Sequence, residues 1–206
     1  MIRRRILPVL ARILLVIAAG LVLGAATSWL QFLLPTELKP FANSNGGWTM
    51  LTFLVVWLVR SRPLLGALLG VLAFQALNEG YGLMSAARGF FYSEPFSNVY
   101  TLLGIPAGLL FGAIAGVVRF GRPEARVLGT AVLSALLLAD GLWLLIRVGE
   151  STGPHYWVIQ MALGAAFLAL AVVRARPRWW AVAASVGVIA VSLAVYPLLL
   201  DLVFGV

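Results

Sequence analysis

Apolar and polar positions along the chain fall into seven long apolar segments separated by short polar or charged stretches. Most segments have the ~20 residues that a helix needs to cross about 30 Å of hydrocarbon. Backbone groups cannot stay unpaired in lipid, so each segment should be a helix. The chain is therefore predicted to be an all-α, polytopic transmembrane helix bundle of about seven helices, forming a single domain over residues 1–206. The predicted spans are 9–34, 46–60, 64–84, 98–119, 126–147, 156–174 and 179–200.

The composition indicates that lipid solvates much of this apolar surface. Hydrophobic residues make up 62% of the 206 residues and charged residues only 11%, and the mean hydropathy is +1.02. Soluble domains are typically about 45–50% apolar and about 25% charged. A chain of this length cannot bury so much apolar surface in a soluble core, so the lipid bilayer is the predicted partner.

The charge and the reactive side chains exclude several classes of protein. The formal charge is +8, but the arginines lie between apolar spans, a pattern that orients helices in membranes and does not indicate nucleic-acid binding. The chain has no Cys and one His, His155. Disulfides, Cys-ligated metals, a bis-His haem and an HExxH zinc site within one chain are therefore excluded. We expect no metal, no cofactor and no nucleic-acid partner.

The basic residues also predict the orientation of the chain. With a cytoplasmic N-terminus and seven crossings, twelve of the 15 basic residues are cytoplasmic, and only Lys39, Arg88 and Arg147 lie outside. This asymmetry follows the positive-inside rule and predicts an N-terminus inside and a C-terminus outside. The span at 46–60 is the shortest, and a re-entrant conformation there would invert every later span.

Two spans carry carboxylates in their outer halves. Asn78 and Glu79 share a helical face with Gln75, and Asp140 shares a face with Trp143 and Arg147. Ionisable groups inside a membrane are functional-site hypotheses by default. The alternative is a structural carboxylate paired with an arginine, which for Asp140 could be Arg147.

Weaker polar stripes occur on the other spans, and they also lie deepest on the outer side. Span 7 carries Ser185, Ser192 and Tyr196 on one face, and the polar loop 41–49 either caps the second span or faces a ligand. These stripes predict an outward-opening polar cavity in which Glu79 and Asp140 share one site. The predicted substrate-binding residues are Gln31, Asn78, Glu79, Asp140, Trp143, Arg147, Tyr156 and Gln160.

Span 4 carries a different pattern, a glycine at every fourth position. We call Gly104, Gly108, Gly112 and Gly116 the glycine stripe. Small residues at this spacing let another helix backbone approach closely. The stripe therefore predicts close helix packing, and it offers a surface for a membrane protein partner.

Three stretches of the sequence are similar to stretches in a known group of proteins: FANSNGGWTM at 41–50, LNEGYGL at 77–83 and GFFYSEPF at 89–96. With them the chain resembles an uncharacterised family, a domain of unknown function, of small actinobacterial multi-pass membrane proteins. The resemblance implies a multi-pass protein of the bacterial plasma membrane and nothing about its activity.

Three classes of function remain open. The first hypothesis is binding or transport of a small polar or cationic solute through the outward-facing cavity. The second is a non-catalytic partner or assembly subunit. The third is an outward-facing membrane enzyme acting on a lipid or envelope precursor, with Glu79 or Asp140 as general acid or base; whether the chain is an enzyme, and which residues would be catalytic, is left open.

The predicted orientation can be tested with reporter fusions at the C-terminus. We expect a reporter fused after Val206 to lie outside the cytoplasm, because the asymmetry of basic residues favours seven crossings from a cytoplasmic N-terminus. A fusion to alkaline phosphatase is active only outside the cytoplasm, and a fusion to green fluorescent protein fluoresces only inside it, so the two reporters together locate the C-terminus. A cytoplasmic C-terminus would mean that one span, most simply 46–60, does not cross.

Overall fold

The computed structural model describes residues 3–91 and 94–204, and in these ranges it contains helices and no strand. This confirms the predicted all-α class, and the predicted spans agree with the helices to within a few residues at most ends. A short 3₁₀-helix, Thr36–Phe41, precedes the second α-helix. The α-helices are α1 Arg3–Leu33, α2 Asn45–Leu58, α3 Pro63–Ala87, α4 Val99–Phe120, α5 Pro123–Thr152, α6 His155–Ala175 and α7 Trp179–Phe204.

Six of the helices in the described ranges are long and apolar enough to cross a membrane, which makes the chain a multi-pass membrane protein. The exception is α2, which has 14 residues. A helix of that length spans about 21 Å at ~1.5 Å per residue, less than the ~30 Å of a hydrocarbon core. The seventh crossing and the placement of the C-terminus outside therefore stay predictions, and residues 205 and 206 lie outside the described part of the chain.

Proline sets the start of two helices. Pro63 and Pro123 each occupy the first turn, and the residues before them, Arg62 and Arg122, have extended ψ angles of 158° and 161°. Proline favours this position because its ring fixes φ and its missing N–H would have had no partner there. The third Arg-Pro pair, Arg176 and Pro177, differs. Helix α6 ends at Ala175, its C-cap residue Arg176 has a left-handed conformation with φ 47°, and α7 begins only at Trp179.

The chain divides into two compact units, each described here by itself. Unit 1 consists of Met1–Leu33 and Gly47–Arg119, and unit 2 consists of Leu34–Gly46 and Phe120–Val206. Unit 1 thus holds α1, α3, all of α4 except its last residue Phe120, and nearly all of α2. Unit 2 holds the 3₁₀-helix, the first two residues of α2, and α5 to α7. The predicted single domain over 1–206 stays a prediction.

In unit 1 the glycine stripe of α4 lies against α3. A Cβ atom built on Gly108 would fall 2.6 Å from the carbonyl oxygen of Gly70, and one on Gly112 would fall 2.8 Å from the Cα atom of Gly70. A Cβ atom on Gly116 would fall 2.6 Å from the backbone nitrogen of Pro63. These two backbones approach so closely that only glycine fits between them. A partner protein would therefore have to use another surface.

Unit 1 also contains an apolar core between α1, α2, α3 and α4. Its centre is a cluster of six buried side chains. Helix α1 packs along α3, where a Cβ atom on Gly80 would fall 2.8 Å from the Cα atom of Leu21. The cluster consists of Val16, Val55, Val56, Leu69, Ala73 and Ala115.

In unit 2 the central helix is α5, which packs against both α6 and α7. Small residues again permit the approach, since a Cβ atom on Gly141 would fall 2.7 Å from the Cγ atom of Met161. A Cβ atom on Gly164 would fall 3.1 Å from the Cβ atom of Leu137. Because α5 contacts two helices, its inner face is the natural position for polar groups that these helices share.

The close packing of α4 on α3 can be tested with a single added methyl group. We expect Gly108→Ala to lower the free energy of unfolding by about 1–3 kcal/mol through overpacking. Gly187→Ala is the matched control, because a Cβ atom there meets nothing within 4 Å. Alanine has the better helix propensity, so the control should be neutral or slightly stabilising. Melting temperatures in detergent give the comparison, and equal effects of the two substitutions would contradict the packing argument.

Candidate functional site

The most buried ionisable group in the described part of unit 2 is the carboxylate of Asp140, on the inner face of α5. Its Oδ2 atom accepts hydrogen bonds from the backbone N–H of Gly46 at 3.2 Å and from Nε2 of Gln160 at 2.9 Å. Its Oδ1 atom accepts from the hydroxyl of Tyr196 at 2.6 Å and from Nδ2 of Asn45 at 3.4 Å. We call these five residues the Asp140 cluster.

The cluster brings together four segments of unit 2. Asn45 and Gly46 form the start of α2, Gln160 lies on α6 and Tyr196 lies on α7. Gly46 must be small, because a Cβ atom there would fall 2.7 Å from the side-chain amide of Gln160. A carboxylate beside the N–H groups of a helix N-terminus is also in a favourable electrostatic position.

All the groups that donate to Asp140 are neutral. The ion pairs within the described residues are Arg147 with Asp201 at 3.5 Å and Arg178 with Glu124 at 3.9 Å, so no basic side chain there neutralises Asp140. Hydrogen bonds offset only part of the cost of burying a charge in apolar surroundings. Such a carboxylate can hold a proton or attract a cation. Among the described residues, no group of three or more His, Cys, Asp or Glu could hold a metal ion.

Gln160 contacts this carboxylate through its amide nitrogen and also carries a buried oxygen. Its Nε2 atom donates to Asp140 and, at 3.1 Å, to the carbonyl oxygen of Leu137. Its Oε1 atom is buried and has no hydrogen-bond partner within the described residues. The cluster therefore contains a buried acceptor that is free to receive a donor.

The polar loop before α2 is held by aromatic residues around the cluster. The hydroxyl groups of Ser44 and Tyr156 are hydrogen-bonded to each other. The ring of Tyr156 lies edge-on to Phe41 and Trp157, at centroid distances of 4.6 and 4.8 Å. Tyr156 thus supports the loop that supplies Asn45 and Gly46, and its contacts with the cluster are indirect.

Trp143 and Arg147 follow Asp140 along α5. The described donors to the carboxylate of Asp140 are instead Asn45, Gly46, Gln160 and Tyr196. The guanidinium carbon of Arg147 is 5.4 Å from the ring centre of Trp143, and its charge is paired with Asp201 at 3.5 Å. Both partners of this pair are partly exposed. The ion pair that the spacing offered to Asp140 is thus formed with Asp201 instead.

In unit 1 the polar face of α3 binds the segment that leads into α4. Glu79 accepts a hydrogen bond at 3.0 Å from the backbone N–H of Phe96, a residue with φ +60°. Asn78 donates to the side chains of Asn98 and Thr101, both at 3.3 Å. Asn98 in turn caps α4, since its Oδ1 atom accepts from the N–H of Thr101 at 3.0 Å.

The eight predicted site residues are divided between the two units. Gln31, which accepts from the hydroxyl of Tyr81 at 2.7 Å, belongs to unit 1 together with Asn78 and Glu79. The other five belong to unit 2, and of these Asp140 and Gln160 are in direct contact. The predicted joining of Glu79 and Asp140 in one site stays a prediction.

Tyr196, Asn45 and Gly46 contact Asp140 but were not among the predicted site residues. Each had a signal in the sequence, the polar stripe of span 7 for Tyr196 and the Asn- and Gly-rich loop for the other two. Neither pattern specifies a contact with α5.

A comparison with protein families identifies the family of this chain. The chain matches, over residues 3–202, the model of a family of unknown function, DUF6518. The chain belongs to this family. The DUF6518 match includes the Asp140 cluster and both units, and it confirms the resemblance to an uncharacterised family that the sequence motifs carry. Comparisons with curated proteins and with solved structures find no match.

The contribution of the Asp140 cluster to the stability of the fold can be tested by removing the carboxylate. We expect Asp140→Ala to lower the free energy of unfolding by about 2–4 kcal/mol, because several buried donors lose their acceptor. Asp201→Ala removes a partly exposed carboxylate from the same unit and should change stability by less than about 0.5 kcal/mol. Chemical denaturation in mixed micelles measures both. Equal losses of unfolding free energy in the two variants would show that the buried carboxylate of Asp140 contributes no more to stability than the partly exposed carboxylate of Asp201.

Proposed function

We propose that this member of DUF6518 binds a small cationic solute and carries it across the bacterial plasma membrane, with Asp140 as the anionic group that recognises the solute. One observation carries the proposal. A fully buried carboxylate lies in an apolar helix long enough to span a membrane, and its described partners are all neutral. Membrane proteins keep such groups where an ion, a proton or a polar substrate is handled.

The chemistry of the cluster favours a cation over an anion. The acceptors of the cluster are the carboxylate oxygens of Asp140 and the Oε1 atom of Gln160. Gln160 contacts Asp140 through its Nε2 atom, and its Oε1 atom has no partner in the described residues. An ammonium or guanidinium group could donate N–H bonds to these oxygens while it neutralises the carboxylate. An anion would meet the carboxylate without a compensating basic side chain in the described part of unit 2.

The geometry also supports a defined role for each neighbour. The hydroxyl of Tyr196 and the amides of Gly46 and Gln160 hold the carboxylate in one orientation. Preorganised groups reduce the cost of ordering a site when a ligand binds. Because Tyr196 and Gly46 come from different segments, a solute that displaces either one would change the position of α7 or of the loop before α2.

The proposal is tested by uptake of two small cations into proteoliposomes that contain the full chain. The probes are radiolabelled methylammonium and guanidinium, driven by an inside-negative potassium diffusion potential. We expect uptake of at least one probe above that of empty liposomes. Asp140→Asn should reduce it about ten-fold or more, because a charge-assisted contact is lost.

Asp201→Asn is the matched control, because it makes the same chemical change at a partly exposed carboxylate. It should retain uptake. The proposal is wrong if the wild-type protein takes up neither probe, or if Asp140→Asn takes up the probes as fast as the wild type. Melting temperatures of all three proteins identify a loss of uptake caused by unfolding.

A second candidate function is that of a non-catalytic assembly subunit. Little of the apolar helix α7 is buried within the structure, so an apolar surface remains for lipid or for a partner. If the wild-type protein takes up neither methylammonium nor guanidinium, the role of an assembly subunit is favoured. Crosslinking in native membranes would then have to give a discrete complex with another membrane protein.

A further inference from the structure

Arg88 lies at the end of α3, where the side chain is held against the last part of α1. It is the C-cap residue of α3, a position at which a cation is favoured by the helix dipole. Its Nη1 atom donates to the carbonyl oxygen of Ser28 and, at 3.0 Å, to the hydroxyl of the same residue. The guanidinium therefore has a fixed position between two apolar helices of unit 1.

Three aromatic rings surround this guanidinium. Its carbon lies 5.6 Å from the ring centre of Trp29 and 5.1 Å from those of Phe32 and Phe90. The rings are nevertheless 44%, 65% and 60% exposed. Tryptophan at the ends of membrane helices, as at Trp29, is typical of the zone where lipid headgroups meet the hydrocarbon. We call Arg88 and these three residues the arginine–aromatic cluster.

The charge of Arg88 is not neutralised by the part of the chain that the structure describes. No carboxylate there forms an ion pair with it, and both of its hydrogen bonds use Nη1. A guanidinium has five N–H donors, and those on Nε and Nη2 have no acceptor among the described residues. The nearby rings displace water, which strengthens the attraction between this cation and an anion.

We propose that the arginine–aromatic cluster binds the headgroup phosphate of an anionic phospholipid. The phosphate oxygens accept hydrogen bonds from Nε and Nη2 of Arg88 in a paired geometry. The glycerol and upper acyl chain pack against the exposed faces of Phe32 and Phe90. A free phosphate ion could use the guanidinium but not the rings, so the lipid is the occupant that matches both features. The cluster lies in unit 1 and is independent of the proposed cation site.

The test is native mass spectrometry of the full chain with added phosphatidylglycerol or phosphatidylcholine. We expect the wild type to retain one tightly bound phosphatidylglycerol, with phosphatidylcholine bound about ten-fold more weakly because its choline group neutralises the phosphate. Arg88→Gln should weaken phosphatidylglycerol binding about ten-fold, and Arg88→Lys should weaken it less. An excess of inorganic phosphate should not displace the lipid, whereas displacement would identify a free-phosphate site and overturn the proposal.

Arg147→Gln is the matched control, because Arg147 also lies over an aromatic ring but is paired with Asp201. It should retain phosphatidylglycerol like the wild type, and equal losses in the two glutamine variants would overturn the proposal. If Arg88→Gln does not fold, a photoreactive benzoylphenylalanine at position 90 decides the question in a chain that keeps Arg88. A phosphatidylglycerol adduct there supports the proposal, and its absence in membranes rich in this lipid rejects it.

Discussion

The carboxylate of Asp140 is the group on which the arrangement of unit 2 depends. It accepts hydrogen bonds from the start of α2, from α6 and from α7, while α5 holds it at the centre. A hydrogen bond to a charged group contributes about 1.5–3 kcal/mol, and a buried donor that loses its acceptor costs about 1–3 kcal/mol. The same group therefore sets the geometry of unit 2 and gives that unit its strongest polar chemistry.

Unit 1 is held together by a different physical principle. Lipid removes most of the hydrophobic drive between helices, so association depends on close packing and polar contacts. The glycines of α3 and α4 allow backbone-to-backbone contact, and the polar face of α3 binds the segment before α4 through Asn78 and Glu79. In this unit the contacts of Asn78 and Glu79 position the segment that leads into α4, and Tyr81 joins α3 to Gln31 of α1.

The two units therefore use similar residue types for different tasks. Arg147 is paired with an acid, whereas the described surroundings of Arg88 are aromatic rings and the backbone and hydroxyl oxygens of Ser28. Asp201 is partly exposed and paired, whereas Asp140 is fully buried among neutral donors. What distinguishes a candidate site from a structural contact is thus the balance of charge and burial around each group, which the residue type alone does not show.

Features that depend on neighbouring residues along the chain could be predicted from the order of amino acids alone. Long apolar runs determined the class and the positions of the helices, and Pro63 and Pro123 marked two helix starts because proline favours the first turn. The glycine stripe also predicted that α4 packs closely against another helix, although it did not predict which helix. The contacts of Asp140 were decided only by the tertiary structure. Gly46 and Tyr196 are 94 and 56 residues away from it along the chain. Helical periodicity predicts which residues share a face of a helix, but it does not predict which neighbouring helix that face contacts. The choice of Asp201 over Asp140 as the partner of Arg147 has the same physical reason, because it depends on how α7 packs against α5.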